Sequence, residues 1–255
     1  MELFDLNDHV AVVTGGNRGI GLGMATGLVR AGAQVCIWGT NKERNEQAEA
    51  DLNRYGGKSA LAMTVDVSDE DQVTSAMSEI VERFGRLDSC FANAGLPSPN
   101  TDLTATSLSD FRGITAVNLD GGFVTMREAA RHMIALGHGG SIVATSSMTV
   151  RSGQARGYAY TASKGALVTM IQAMAVELAR YKIRANALLP GWAETTLAGD
   201  VLNDETFKNK VMPRIPARRW GNGSDFAGIA VYLASPASQY HTADSILIDG
   251  GYTAF

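Results

Sequence analysis

The chain is predicted to fold as an α/β protein, with one doubly wound parallel sheet of about seven strands and helices on both faces. Three observations carry that expectation. Runs of strand length are apolar throughout, as in strands buried on both faces. They alternate with longer amphipathic segments, the order that right-handed crossovers turn into a parallel sheet. A glycine-rich turn joins the first run to the first helical segment, where such sheets bind dinucleotides.

Positions 10–13 form the first predicted strand. The turn at 14–21 follows, then a helix to about position 31. Strand two is 35–38 and is followed by a charged helix over 43–55. Strand three is 61–65. The run Ser68-Asp69-Glu70-Asp71 reads as a helix N-cap with an acidic first turn. In that helix Val73, Met77, Ile80, Val81 and Phe84 share one 3.6-residue stripe. Strand four is 87–92, and one long helix is expected over about 107–136. Strand five is 141–145, a second long helix covers about 158–180, and strand six is 183–189. Ser224 and Asp225 open a last helix before a short strand at 245–248. There is no repeat, low-complexity tract or linker, so residues 1–255 read as a single domain. Ligands are expected beyond the carboxyl ends of the strands.

Composition narrows the function. Hydrophobic residues make up 45% and charged residues 19%, which excludes a disordered chain. A net charge of −4 argues against nucleic-acid binding. Cys36 and Cys90 lie in apolar runs and read as buried thiols. His9, His132, His138 and His241 are scattered, and no spacing suits a metal. The first residues lack the basic start and apolar stretch of a signal peptide. The longest nearly apolar run, 165–176, is too short for a bilayer and contains Thr169 and Gln172. A cytoplasmic protein with no membrane partner is the expectation.

The turn 14–21 reads Thr-Gly-Gly-Asn-Arg-Gly-Ile-Gly. Gly15, Gly19 and Gly21 let the backbone approach a ligand closely. The helix N-terminus that follows offers free N–H groups to a pyrophosphate. Tyr160 and Lys164 stand four apart on one predicted helix and share a face. A tyrosine ordinarily titrates near pH 10. A neighbouring ammonium lowers that value toward working pH.

On these motifs the chain resembles the short-chain dehydrogenases/reductases over essentially its whole length. The resemblance rests on the GxxxGxG spacing, Asp66-Val67, Asn93-Ala94-Gly95, Asn118, Ser147, Tyr160, Lys164 and Pro190-Gly191. It implies an oxidoreductase transferring hydride between a nicotinamide cofactor and a small carbonyl or secondary alcohol. A keto-sugar, a sugar acid and a 3-oxoacyl compound all remain open as substrate. Ser147 would hold the carbonyl oxygen and Tyr160 would exchange its proton. Lys164 would also bind the nicotinamide ribose, and Asn118 would hold a water behind Lys164. Ser146 and Tyr158 are weaker alternatives, since no cation stands four after Tyr158. The implied cofactor contacts are Gly15, Asn17, Arg18, Gly19, Ile20 and Gly21 in the turn, then Asp66 and Val67 at adenine. Asn93, Ala94 and Gly95 lie beside adenine and ribose, and Pro190, Gly191 and Thr195 at the carboxamide.

NADP(H) is favoured over NAD(H). No acidic residue occurs from Gly15 to Lys42, and Gly39 stands where NAD-preferring relatives carry aspartate. Arg18, with Thr40, Asn41 and Lys42, is positioned for a 2′-phosphate. On the substrate side Met148, Gln154, Trp192 and Leu96 border the pocket under a lid at about 196–220. A sugar acid would need a cation, with Arg151 the candidate; an acyl carrier would need a basic rim. Val150 replaces a frequent glycine. The resemblance implies a homotetramer with the C-terminus to Phe255 buried between subunits. A non-catalytic dinucleotide-binding regulator on the same fold is the second reading, though its usual mark, loss of the tyrosine or lysine, is missing.

Overall fold

The computed structural model describes residues 2–195 and 199–254. Its strands are β1 (Val10–Thr14), β2 (Gln34–Gly39), β3 (Ala60–Thr64), β4 (Ser89–Ala92), β5 (Gly140–Thr145), β6 (Ile183–Pro190) and β7 (Ser245–Ile248). All pair in parallel, in the order β3-β2-β1-β4-β5-β6-β7. The chain winds outward from β1 to β3, then returns to place β4 against the other edge of β1. That reversal opens a crevice at the carboxyl ends of β1 and β4.

The helices are α1 (Gly19–Arg30), α2 (Lys42–Gly56), α3 (Glu70–Phe84), α4 (Leu108–Thr115) and α5 (Gly121–Leu136), then α6 (Thr149–Ser152), α7 (Tyr158–Leu178), α8 (Glu205–Val211) and α9 (Ala227–Ala234). The strands read as unbroken apolar runs because both of their faces are covered. Val10 and Val12 enter the cluster under α3, α5 and α7; Ala11 and Val13 enter the one under α1, α2 and α9. Cys36 and Trp38 face the first cluster, and Val35 and Ile37 the second. Both cysteines are free and buried, and burial pushes each thiol up to about 12. No helix among the described residues is long and apolar enough to cross a membrane.

Two details go beyond the expectation. The predicted helical region over 107–136 is continuous, but it carries a π-helical segment, Ala116–Asp120, between α4 and α5. A π-turn takes in one extra residue without disturbing the apolar pattern, so periodicity does not reveal it. The turn carries Asn118, which is buried. The aperiodic lid segment contains α8, whose start is capped by Asp204 accepting from the Phe207 N–H at 2.7 Å. Its positions 196–198 lie outside the described residues, as does Phe255.

The amino-terminal edge of the sheet is held by Asp88, just before β4. Its carboxylate accepts from the Val10 N–H at 2.8 Å and, through both oxygens, from Arg86 at 2.8 Å. His138 Nδ1 lies 3.7 Å away. Burial would raise the Asp88 carboxyl, but the bonds from Arg86 and Val10 outweigh it and hold it below its ordinary value. Replacing Asp88 by Ala strands a buried N–H and a guanidinium, and is expected to cost about 2 kcal/mol in urea unfolding at pH 7. A carboxyl lowered on folding stabilises above its unfolded value and loses that contribution as pH falls. The gap between wild type and Asp88→Ala should therefore narrow below about pH 4.

Candidate active site

At the crevice, the turn after β1 meets the turn after β4. Thr14 Oγ1 accepts from the N–H groups of Asn93 and Ala94, both at 2.9 Å, and Asn93 Nδ2 donates to the Thr14 carbonyl at 2.9 Å. Between these turns and α7 lies a cavity of about 500 Å³. Its phosphate-sized end is formed by backbone. A Cβ on Gly21 would strike the Gly15 carbonyl oxygen, and Gly15 itself has φ +63°. Helix α1 begins at Arg18 with no side-chain cap and no acidic residue in its first turn, so its N–H groups remain available to an anion.

The adenosine end is built by β2, β3 and α2. Asn17 Nδ2 donates to Asn45 Oδ1 at 2.6 Å, and Asn45 Nδ2 donates to the carbonyls of Gly39 and Met63. This amide pair packs against Gly39. A Cβ there would lie 2.6 Å from Asn45 Oδ1 and would collide with the Asn17 amide. A side chain at position 39 would thus force the Asn17–Asn45 pair to shift. Two guanidinium groups converge instead: burial and then the charge of Arg44 both lower the pKa of Arg18. Arg44 lines the cavity; Lys42 does not, and leans to Glu46 at 3.9 Å on the exposed face of α2. Asp66 Oδ1 accepts from both the N–H and the hydroxyl of Ser68.

At the other end, α7 presents Tyr160 and Lys164 on successive turns. The Tyr160 N–H donates to Ser98 Oγ at 3.0 Å, and the Ser147 hydroxyl bonds the Tyr160 phenol. Lys164 Nζ lies 5.7 Å from the centre of the Tyr160 ring and donates to the Thr145 carbonyl at 2.8 Å. Burial lowers the Lys164 amine to about 8. Burial also raises the Tyr160 phenol, against the smaller opposing effect of Ser147. In the chain by itself burial is thus the larger influence on the Tyr160 phenol and Ser147 the smaller one.

Apart from Lys42 and Arg151, the predicted cofactor and substrate residues border this one cavity, while Asn118 stands behind it. Its Oδ1 accepts from the Leu96 N–H at 2.7 Å and its Nδ2 donates to the Leu96 carbonyl at 2.9 Å, so the side chain pins the 93–96 turn. Gly95 separates it from the amine: a Cβ there would lie 3.2 Å from Asn118 Oδ1 and 3.3 Å from Lys164 Nζ. Ser146 also borders the cavity, but its hydroxyl donates to the Lys164 carbonyl at 2.8 Å. Arg151 does not border it and donates to the Ser245 carbonyl at 3.1 Å. Arg44, Ser98 and Thr149 are lining residues that sequence reasoning passed over.

Comparison with known proteins agrees with this geometry. The family model described as enoyl-(acyl carrier protein) reductase matches residues 15–253. Gluconate 5-dehydrogenase of Gluconobacter oxydans is 35% identical over 254 residues, covering 99% of this chain and 97% of that protein. A 3-oxoacyl-(acyl-carrier-protein) reductase of Chlamydia pneumoniae is 36% identical over 242 residues, covering 95% and 96%. The crystal structure of a gluconate 5-dehydrogenase from Burkholderia cenocepacia in complex with NADP and tartrate matches with a TM-score of 0.93 at 36% identity, covering 100% of this chain and 98% of that one.

The buried amine makes a stability prediction. A lysine whose pKa falls on folding binds fewer protons folded than unfolded between the two values. Stability from this group therefore rises with pH from about 8 toward the ordinary lysine value. Thermal melts from pH 7 to pH 10 should show wild type gaining on Lys164→Met across that window. A constant difference between the two would mean that the amine is not buried in its charged form.

Proposed function

Because the chain belongs to the short-chain dehydrogenase/reductase family, we propose that it transfers hydride reversibly between NADP(H) and a small carbonyl compound or its secondary alcohol. The observation that carries this reading is the convergence of Ser147, Tyr160 and Lys164 at one end of a cavity whose other end is a glycine cradle. The cradle fits a dinucleotide: backbone N–H groups at the α1 terminus suit the pyrophosphate, and no Cβ stands in the way. Bound there, the cofactor supplies the hydride and, when oxidised, a positive charge.

The chain's own groups do the rest. Ser147 donates to the carbonyl oxygen and fixes its position. Tyr160 holds a proton at neutral pH, since burial raises its phenol, and delivers it to that oxygen as negative charge develops. Lys164 stands one turn behind, anchored on Thr145, where it stabilises the phenolate and has donors left for ribose hydroxyls. The bond from Ser98 to the first turn of α7 keeps Tyr160 in register with Ser147.

For the cofactor, NADP(H) is favoured on three grounds. Arg18 and Arg44 both border the adenosine end, position 39 is glycine packed against the Asn17–Asn45 pair rather than a carboxylate, and the Burkholderia relative was crystallised with NADP. Two guanidinium groups that repel each other are relieved by a shared phosphate.

Two substitutions test this reading. Tyr160→Phe is expected to lower kcat by about a thousandfold while leaving NADPH affinity within twofold, measured by nicotinamide fluorescence. Arg44→Ala is expected to weaken NADPH about tenfold and leave NADH unchanged. Equal losses for both cofactors would remove Arg44 from phosphate recognition.

A further inference from the structure

The cavity differs sharply in charge between its two ends. The cations that border it are Arg18, Arg44 and Lys164. Arg18 and Arg44 belong to the adenosine end, in the turn after β1 and the first turn of α2. Lys164 is buried and bonded to the Thr145 carbonyl. Asp66, the one acidic lining residue among those described, also stands at the adenosine end. Beyond Ser147 and Tyr160 the wall consists of uncharged groups: Leu96, Pro97, Met148 and Trp192, with Ser98 and Gln154.

Arg151, Arg156, Lys208, Lys210, Arg214, Arg218 and Arg219 do not border the cavity. Arg151 bonds the Ser245 carbonyl, and Arg156 pairs with Asp102 at 2.9 Å. In the segment after β6, Arg214 stacks 4.4 Å from the centre of the Tyr252 ring, and both ends of the Arg219 guanidinium bond Asp225. Positions 196–198 are Thr, Leu and Ala, and bring no charge by sequence. The wall is also braced. Trp192 stands edge-on to Phe207 at 5.0 Å and to Tyr252 at 6.5 Å, and Met148 packs in the same cluster.

We infer that the substrate is an uncharged carbonyl compound or alcohol, and that the catalytic end rejects sugar acids and other carboxylates. This narrows the substrate class of the oxidoreductase reading above and rests on it. A carboxylate entering here would shed water and meet apolar side chains without a cation to pair with. A neutral substrate of the same shape loses nothing comparable. Rejection by an unpaired charge is a strong form of specificity, because the cost falls on the wrong ligand alone. Five curated relatives are named for gluconate-type sugar acids; among the described residues, the wall of this chain lacks the cation that such a substrate calls for.

The test uses matched pairs that differ in charge, in the direction of NADPH oxidation: acetoacetate with ethyl acetoacetate, and 5-keto-D-gluconate with its methyl ester. The ester of a pair that turns over is expected to exceed its acid at least a hundredfold in kcat/KM. Leu96→Arg, which places a guanidinium on the wall, should raise the acid-to-ester ratio at least tenfold. A binding arm runs without turnover: Tyr160→Phe saturated with NADPH is melted with each probe, and the ester should shift the melt more than the acid. No turnover of any probe by wild type would count against the oxidoreductase reading, while the binding arm still reads the charge preference. An acid that matches or exceeds its ester in turnover overturns the inference. So does an acid that shifts the melt as much as its ester, including no shift from either.

Discussion

The hydroxyl of Thr14 is the joint on which the two halves of the sheet depend. At the point where strand order reverses, β1 and β4 diverge and their backbone donors lose sheet partners. Thr14 Oγ1 takes up two of these, from Asn93 and Ala94, and Asn93 returns a bond to the Thr14 carbonyl. The crevice is thereby held open without orphaned donors. One physical chain then runs from the cradle to the catalytic amine: Thr14 fixes the 93–96 turn, Asn118 fixes it from behind, and Gly95 leaves room for Lys164 between them.

That chain ends on an amine buried without a carboxylate partner, an arrangement that costs stability wherever it occurs. The surroundings give Lys164 only a carbonyl, that of Thr145. The π-turn that buries Asn118 is a second departure from regular structure beside the same amine. Two apolar layers, one on each face of the sheet, offset both costs. The departures cluster beside the buried Lys164 amine, whose pKa burial lowers, while the strands around them stay regular.

Much of this was legible in the chain. Unbroken apolar runs located the strands within a residue or two, because burial on both faces leaves no polar position to hide a register. The glycine turn and the Tyr160–Lys164 spacing located both ends of the cavity. What escaped was direction. Lys42 and Arg44 share the first turn of α2, and composition does not say which one faces inward. Capping decides it: Asn41 takes the Arg44 N–H, which fixes the phase of the helix, and Lys42 then faces Glu46 one turn on. Arg151 was misplaced for a similar reason, since the four-residue α6 turns it to β7 rather than to the substrate. Helix α8 sits inside an aperiodic run, and its seven residues are too few for a hydrophobic period to show.

The uncharged wall and the buried acid–base pair fit one another. Burial alone sets the Lys164 amine near 8 and keeps the Tyr160 phenol protonated. A carboxylate bound beside them would favour the ammonium and disfavour the phenolate, moving both values up together. Less of Tyr160 would then be the phenolate that takes the alcohol's proton in the oxidative direction, whatever the affinity of the anion. A neutral substrate leaves that balance to burial, to Ser147 and to the Thr145 carbonyl, all of which are fixed before anything binds. On the proposed reading, charge kept at the adenosine end, where Arg18 and Arg44 would meet a phosphate, and away from the catalytic end serves recognition and proton transfer at once.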